Sequence, residues 1–189
     1  KVLGIIGLGS VGSLLAQTAS VLGMKIIGYD PYISVDAAWM LPKEVEKAEE
    51  LNHLLSNSDY ISLHIPLTDK TKNYISKKNL NAFKPGSKLI NLSRGGIVNN
   101  EDILEALQQR KVSNFVTDFP TKELIERSVT EKDVILLPHL GASTKEAEIN
   151  CAVMASEQVK KFLNDGVIIN SINFPKVSLG RTTKYRMVI

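Results

Sequence analysis

Two side chains able to do chemistry follow apolar runs in this sequence. His139 stands in Pro138-His139-Leu140-Gly141, after Val134-Ile135-Leu136-Leu137. Arg94 stands in Ser93-Arg94-Gly95-Gly96, after Lys88-Leu89-Ile90-Asn91-Leu92. A guanidinium in such a turn can fork onto a carboxylate, which an ammonium cannot do bidentately. An imidazole titrating near neutrality can take a proton from a hydroxyl as hydride leaves its carbon, and return it in reverse. A nearby carboxylate would orient that ring and favour its charged form. Asp118, after Asn114-Phe115-Val116-Thr117, and Glu123 are the candidates. Taken alone, each group also has a bland reading, as an exposed arginine in a turn or a histidine bonded at a strand end. His53, in a polar helix, reads as surface.

The element that must position these groups is Val2-Leu3-Gly4-Ile5-Ile6-Gly7-Leu8-Gly9-Ser10-Val11-Gly12. Its apolar run reads as a buried parallel strand ending in Gly7-x-Gly9-x-x-Gly12. An apolar pattern follows at helical spacing: Val11, Leu14, Leu15, Thr18, Ala19, Leu22. Strand, glycine turn and helix in that order form the dinucleotide-binding fingerprint. Gly7 permits the tight turn, Gly9 lets backbone approach a pyrophosphate, and Gly12 lets the helix pack closely on the strand. The helix N-terminus offers N–H groups to the phosphates. A second strand, Lys25-Ile26-Ile27-Gly28-Tyr29, ends in Asp30 and is stopped by Pro31. That acid lies roughly 20 residues past the glycines, where this fold sets a carboxylate on the ribose hydroxyls. It would repel a 2′-phosphate, and no Arg directly follows it, so the expected cofactor is NAD rather than NADP.

Further strands are expected at Val45-Glu46-Lys47, Tyr60-Ile61-Ser62-Leu63-His64-Ile65, and in the runs before Arg94, Asp118 and His139. Helices are expected over 51–57, 77–82 and 100–109, the last capped by Asn99 or Asn100 with Ile103, Leu104 and Leu107 inward. Ser143 or Thr144 caps a long helix to about Asn164. Residues 33–42 read as loop with a helical turn. The alternation implies an α/β fold: a doubly wound parallel sheet of Rossmann type with a C-terminal crossover helix. Right-handed crossovers put every strand end on one edge, so the glycine turn, Asp30, His64, Arg94, Asp118 and His139 should share one rim.

Composition narrows the class. The 189 residues suit one domain, or a domain with an appendage. The 23 Lys and Arg are interspersed with 20 acids, net +3, which reads as a solvated surface rather than a nucleic-acid stripe. No apolar run reaches the roughly 18 residues of a membrane span, so neither nucleic acid nor membrane is an expected partner. The one cysteine, Cys151, rules out an internal disulfide and suits a reducing compartment, so a cytoplasmic location is expected. The chain opens on Lys1, directly in a core strand. Its expected organisation is a nucleotide domain over 1–145, a crossover helix and returning segment over 146–177, and over 178–189 a link plus the first strand of a further domain. A longer parent protein is expected at both ends.

Together, Gly7 to Gly12 with Asp30, Ser62-Leu63-His64-Ile65-Pro66-Leu67-Thr68, Asn91-Leu92-Ser93-Arg94-Gly95-Gly96 and Pro138-His139-Leu140-Gly141-Ala142-Ser143-Thr144 resemble the D-isomer-specific 2-hydroxyacid dehydrogenases. The resemblance runs from Val2 to about Pro175. It implies NAD-dependent oxidation of a D-2-hydroxyacid, with Lys145-Glu146-Ala147 pointing to members that act on a phosphorylated one. It implies that Arg94 binds substrate, that His139 is the acid/base, and that Ser10 and Val11 lie in the pyrophosphate turn. Thr71, Leu92, Ser93, Asp118, Gly141 and Ala142 would line the cofactor. Tyr29 and Pro31 beside Asp30, His64, Ile65 and Pro66 after the fourth strand, and Arg94 and His139 themselves complete the expected cofactor set. No metal is expected.

The histidine's glutamate partner usually closes an Asp-Val-Phe-x-x-Glu-Pro segment. Here Asp118-Phe119-Pro120-Thr121-Lys122-Glu123 is one residue short and lacks the final proline. Counting from Asp118 selects Glu123; aligning on Phe119-Pro120-Thr121 selects Lys122, which would lower the histidine's pKa and could not hold an imidazolium. Glu123 is therefore the expected third catalytic residue. The resemblance also implies a homodimer or higher oligomer, and a substrate domain whose leading half is absent, so this chain alone is expected to bind NAD without turnover. Competing readings are a dehydrogenase of the glycerate or lactate type, a non-catalytic NAD-sensing corepressor of the same fold, and a methyltransferase, which has no use for Arg94 and His139.

Overall fold

The computed structural model describes residues 1–171, 173–178 and 180. They divide into two compact units, Lys1–His139 and the chain from Leu140 onward. The first unit runs β1 (Val2–Ile6), α1 (Ser10–Val21), β2 (Lys25–Tyr29), α2 (Val35–Trp39), β3 (Glu46–Lys47), α3 (Leu51–Asn57), β4 (Tyr60–Leu63), α4 (Lys77–Leu80), β5 (Ser87–Asn91), α5 (Asn100–Gln108), β6 (Val112–Thr117), α6 (Lys122–Thr130) and β7 (Val134–Leu136). All seven strands are parallel, in the order β3-β2-β1-β4-β5-β6-β7. The winding reverses between β1 and β4, the place where open α/β sheets bind ligands.

Burial follows from the helix faces. On one side α3, α5 and α6 cover Ile61, Leu63, Leu89 and Phe115 with Leu54, Leu55, Ile103, Leu107 and Leu124. Asn99 caps α5, its side chain accepting from the Asp102 N–H at 3.0 Å. On the other side α1 packs on Leu3, Ile5 and Ile26. The apolar residues that mark α1 in the sequence are mostly not the ones it buries. Gly12, Ser13, Ala16 and Ala19 are buried, while Val11, Leu14 and Leu22 point to solvent at 65%, 62% and 75% exposure. A Cβ on Gly12 would run into the Gly7 carbonyl. A helix that approaches its strand so closely has room only for small side chains, which forces the larger ones outward.

A nine-residue helix, α6, has no counterpart in the sequence reading; Leu124 is its one buried residue, too weak a period to detect. In the second unit α7 (Lys145–Asp165) is capped by Thr144, whose hydroxyl accepts from the Ala147 N–H at 3.1 Å, and ends on Gly166 at φ 66°. Ile168 and Val177 then pair antiparallel. The strand start expected over 185–189, and most of the preceding link, lie outside the described residues. Among the described residues no helix is long and apolar enough to cross a membrane.

Candidate functional site

The carboxyl edge of the sheet begins with the glycine turn. Gly7 has φ +93°, and a Cβ there would sit 2.6 Å from the His64 carbonyl oxygen. The turn therefore lies against the chain leaving β4, and only glycine fits. Around Gly9, by contrast, a Cβ would meet nothing within 4 Å. The space beside it is open, directly at the N-terminus of α1, where the first N–H groups have no acceptor within the helix. Ser10 and Val11 are exposed there. Ser13 ties the turn down by donating to the Leu8 carbonyl at 2.8 Å.

Asp30 is locked to this turn. Its Oδ2 accepts from the Leu8 N–H at 2.8 Å and its Oδ1 from the Tyr32 N–H at 2.9 Å. The carboxylate is thus held beside the glycine turn before any ligand arrives. Pro31 is exposed and Tyr29 half-buried. Burial, with Tyr29 adding to it, pushes the phenol of neighbouring Tyr74 up to about 12.

After β4, His64 is half-buried, its Nε2 2.9 Å from the Ser62 hydroxyl. Burial lowers its pKa below the usual 6.5, which favours the neutral ring. The following loop is closed by Thr71, whose hydroxyl donates to the Pro66 carbonyl at 2.6 Å and accepts from the Thr68 N–H at 2.7 Å. Thr71 therefore shapes this loop, and Ile65 and Pro66 sit within it.

The Arg94 turn depends on Asn91, to which the sequence motif by itself assigns no role. Asn91 is buried at the end of β5. Its Oδ1 accepts from the Ser93 N–H and hydroxyl at 3.3 and 3.0 Å, and its Nδ2 donates to the Arg94 carbonyl at 3.0 Å. An Asn at a strand end, with Ser93, Gly95 and Gly96 close behind it, is a turn signal that could have revealed it. The Arg94 side chain is exposed, Nη1 donating to the Ser93 carbonyl at 2.6 Å. Among the described residues it forms no ion pair, which leaves its fork available to an anion. Leu92 is 44% exposed beside it.

Phe119, in the sequence only a point of alignment, links this turn to the histidine. Its ring lies against Gly95, where a Cβ would come within 3.3 Å of it. The same ring stands 4.9 Å from the His139 ring at a tilt of 48°. His139 is largely exposed, and its Nδ1 lies 2.7 Å from Oδ2 of the buried Asp118. The other oxygen of Asp118, Oδ1, is buried with no partner among the described residues.

Glu123 is not brought to His139. It sits in the first turn of α6, exposed, its carboxyl held below the usual range chiefly by its own backbone N–H. Lys122 is exposed at the same helix start. The expected pairing of Glu123 with His139 is therefore replaced by Asp118 with His139. A chain that turns into a helix immediately after Thr121 carries Glu123 with that helix. Gly141 and Ala142 belong to the second unit.

The orphaned acceptor on Asp118, the open space at Gly9 and the anchored Asp30 fit a ligand with an anionic bridge, hydroxyls and a hydrogen-bond donor, as a dinucleotide has. Two open grooves of about 570 and 580 Å³ lie elsewhere and hold none of these groups. Among the described residues no cluster of three or more His, Cys, Asp or Glu is arranged to hold a metal ion.

Comparison with known proteins gives the same frame. A family model described as the D-isomer specific 2-hydroxyacid dehydrogenase NAD binding domain matches residues 1–141. A D-3-phosphoglycerate dehydrogenase of Synechocystis is 39% identical over 177 residues, which cover 93% of this chain and 31% of that protein. One from Methanocaldococcus jannaschii is 35% identical over 193 residues, 100% of this chain and 36% of that protein. Among solved structures, the NAD+-bound 3-phosphoglycerate dehydrogenase of Entamoeba histolytica superposes with a TM-score of 0.76 at 27% identity, over 92% of this chain and 55% of that one. The chain spans about a third of the length of the curated relatives it matches.

Proposed function

The chain belongs to the D-isomer-specific 2-hydroxyacid dehydrogenases, through their NAD-binding domain, and from that premise we propose that it binds NAD along the carboxyl edge of its sheet and serves the oxidation of a phosphorylated D-2-hydroxyacid, 3-phosphoglycerate, to its 2-oxo acid. The observation that carries this reading is the bridge of Phe119 between the Arg94 turn and His139, on the rim that also holds the glycine turn and Asp30. The names of the relatives support the phosphorylated substrate.

Bound NAD supplies the acceptor for the hydride that leaves the hydroxyl-bearing carbon. The α1 N-terminus and Gly9 would hold its pyrophosphate, and Asp30 would accept from its ribose hydroxyls. Arg94 takes the substrate carboxylate on its fork and so fixes which carbon faces the cofactor. His139 accepts the hydroxyl proton as the hydride departs and returns it in the reverse direction. A homodimer and a cytoplasmic location belong to the same reading. The outward Leu14 and Leu22 supply apolar surface for a dimer, and sedimentation equilibrium measures it.

Calorimetric titration with NADH and NADPH tests the cofactor step. NADH binds, NADPH binds poorly, and Asp30→Ala weakens NADH about tenfold or more, the value of a charged hydrogen bond. A chain that melts cooperatively yet binds no NADH overturns the reading. In the protein that turns over 3-phosphoglycerate, His139→Gln lowers kcat by about 10²- to 10⁴-fold.

A further inference from the structure

Building on that reading of His139 as the proton carrier, we propose that Asp118, rather than a glutamate, is the carboxylate that positions the His139 imidazole in this protein. Three observations converge on it. The first is the contact itself, His139 Nδ1 to Asp118 Oδ2 at 2.7 Å, between a side chain 58% exposed and one 9% exposed. A buried carboxylate that meets one ring nitrogen draws the ring proton to that nitrogen. His139 then carries its proton on Nδ1 and keeps a lone pair on Nε2, the form able to accept a hydroxyl proton.

The second is the rigidity around the pair. Thr117 is buried at the end of β6, and its hydroxyl oxygen accepts from the Phe119 N–H at 3.2 Å. This fixes the backbone on both sides of Asp118. Phe119 then lays its ring against that of His139. Two successive residues of one turn thus set the tautomer and the plane of the same imidazole.

The third is where the glutamate goes. Only Asp118, Phe119, Pro120 and Thr121 separate β6 from α6. Glu123 falls inside the first helical turn, exposed and drawn to its own backbone N–H. The segment that is one residue short gives up the longer carboxylate and puts the shorter one, at the strand end, on the ring. When His139 takes up the substrate proton, Oδ2 remains bonded to the imidazolium.

The test is the tautomer of His139, read from long-range ¹⁵N–¹H correlation of the histidine rings in the chain; with 3 histidines in all, assignment by single substitution is direct. His139 shows the Nδ1–H form. Asp118→Asn moves the proton to Nε2, as replacing the buried aspartate does in Ser-His-Asp triads, and Glu123→Gln leaves it on Nδ1. An Asp118→Asn spectrum that keeps the Nδ1–H form, or a Glu123→Gln spectrum that loses it, overturns the proposal. Should Asp118→Asn fail to fold, the Glu123→Gln spectrum decides alone. In the enzyme assay Asp118→Asn lowers kcat by about 100-fold or more, with KM for the hydroxyacid within about threefold. The spectrum needs no turnover. A chain that shows the tautomer switch but no dehydrogenase activity fails the functional reading and keeps the dyad.

Discussion

At the amino edge of the sheet, Asp59 accepts from Lys84 Nζ at 2.7 Å and from the Val2 N–H at 2.9 Å. Beside β7, Arg127 holds Asp133 through Nε and Nη2 at 2.9 and 2.6 Å, both side chains mostly buried. These charges are closed pairs that tie the starts of strands to their neighbours. The carboxyl edge is built differently. Among the described residues Arg94 bonds only to its own turn, Asp118 has one oxygen unmatched, and Gly9 faces open space. Both edges belong to the same seven strands, so the sheet does not cause the difference. Charged groups matched within the chain stabilise it, and charged groups left incomplete at a rigid edge are available to a ligand.

Substitutions that separate stability from binding test this contrast. The largest effect is expected at the amino edge. Arg127→Ala leaves Asp133 unpaired and costs about 1–3 kcal/mol, lowering Tm by roughly 3–10 °C, while NADH affinity is unchanged. A loss of NADH binding in that variant would dissolve the distinction between the edges. Next is Gly9→Ala, whose methyl meets nothing in the chain. It leaves Tm within about 1 °C and weakens NADH about tenfold, near 1.4 kcal/mol, by filling the space the pyrophosphate needs.

The smallest effects are in the pH dependence of unfolding. The hydrogen bond from Lys84, with that from Val2, lowers the Asp59 pKa to about 2 in the folded chain, against roughly 4 when unfolded. The unfolded chain therefore binds this proton first as pH falls. The contribution of Asp59 is complete above pH of about 4 and is lost toward about 2. Burial holds His64 below 6.5, so here too the unfolded chain protonates first, and stability declines as pH drops below about 6.5. Urea midpoints from pH 8 to 2 show both limbs. Asp59→Asn flattens the acid one and His64→Gln the other, each without the other's effect.

Much of this architecture is local and was legible in the chain. The glycine turn, the acid ending β2, the cap on α5 and the alternation of elements are short-range patterns, each set by backbone geometry within a few residues. Parallel winding then carries the strand ends to one rim, so the set Asp30, His64, Arg94 and His139 could be named from sequence. Tertiary structure decided the pairings within that set. Which face of α1 is buried depends on how closely Gly12 lets it approach β1. Asn91 and Phe119 organise the rim through contacts that no periodicity records. Asp118 rather than Glu123 meets His139 because the chain enters α6 directly after Thr121, and that helix has one buried residue to announce it. Local propensities set the order of the elements; the meeting of side chains from different loops is set by the length of each loop and the packing beneath it.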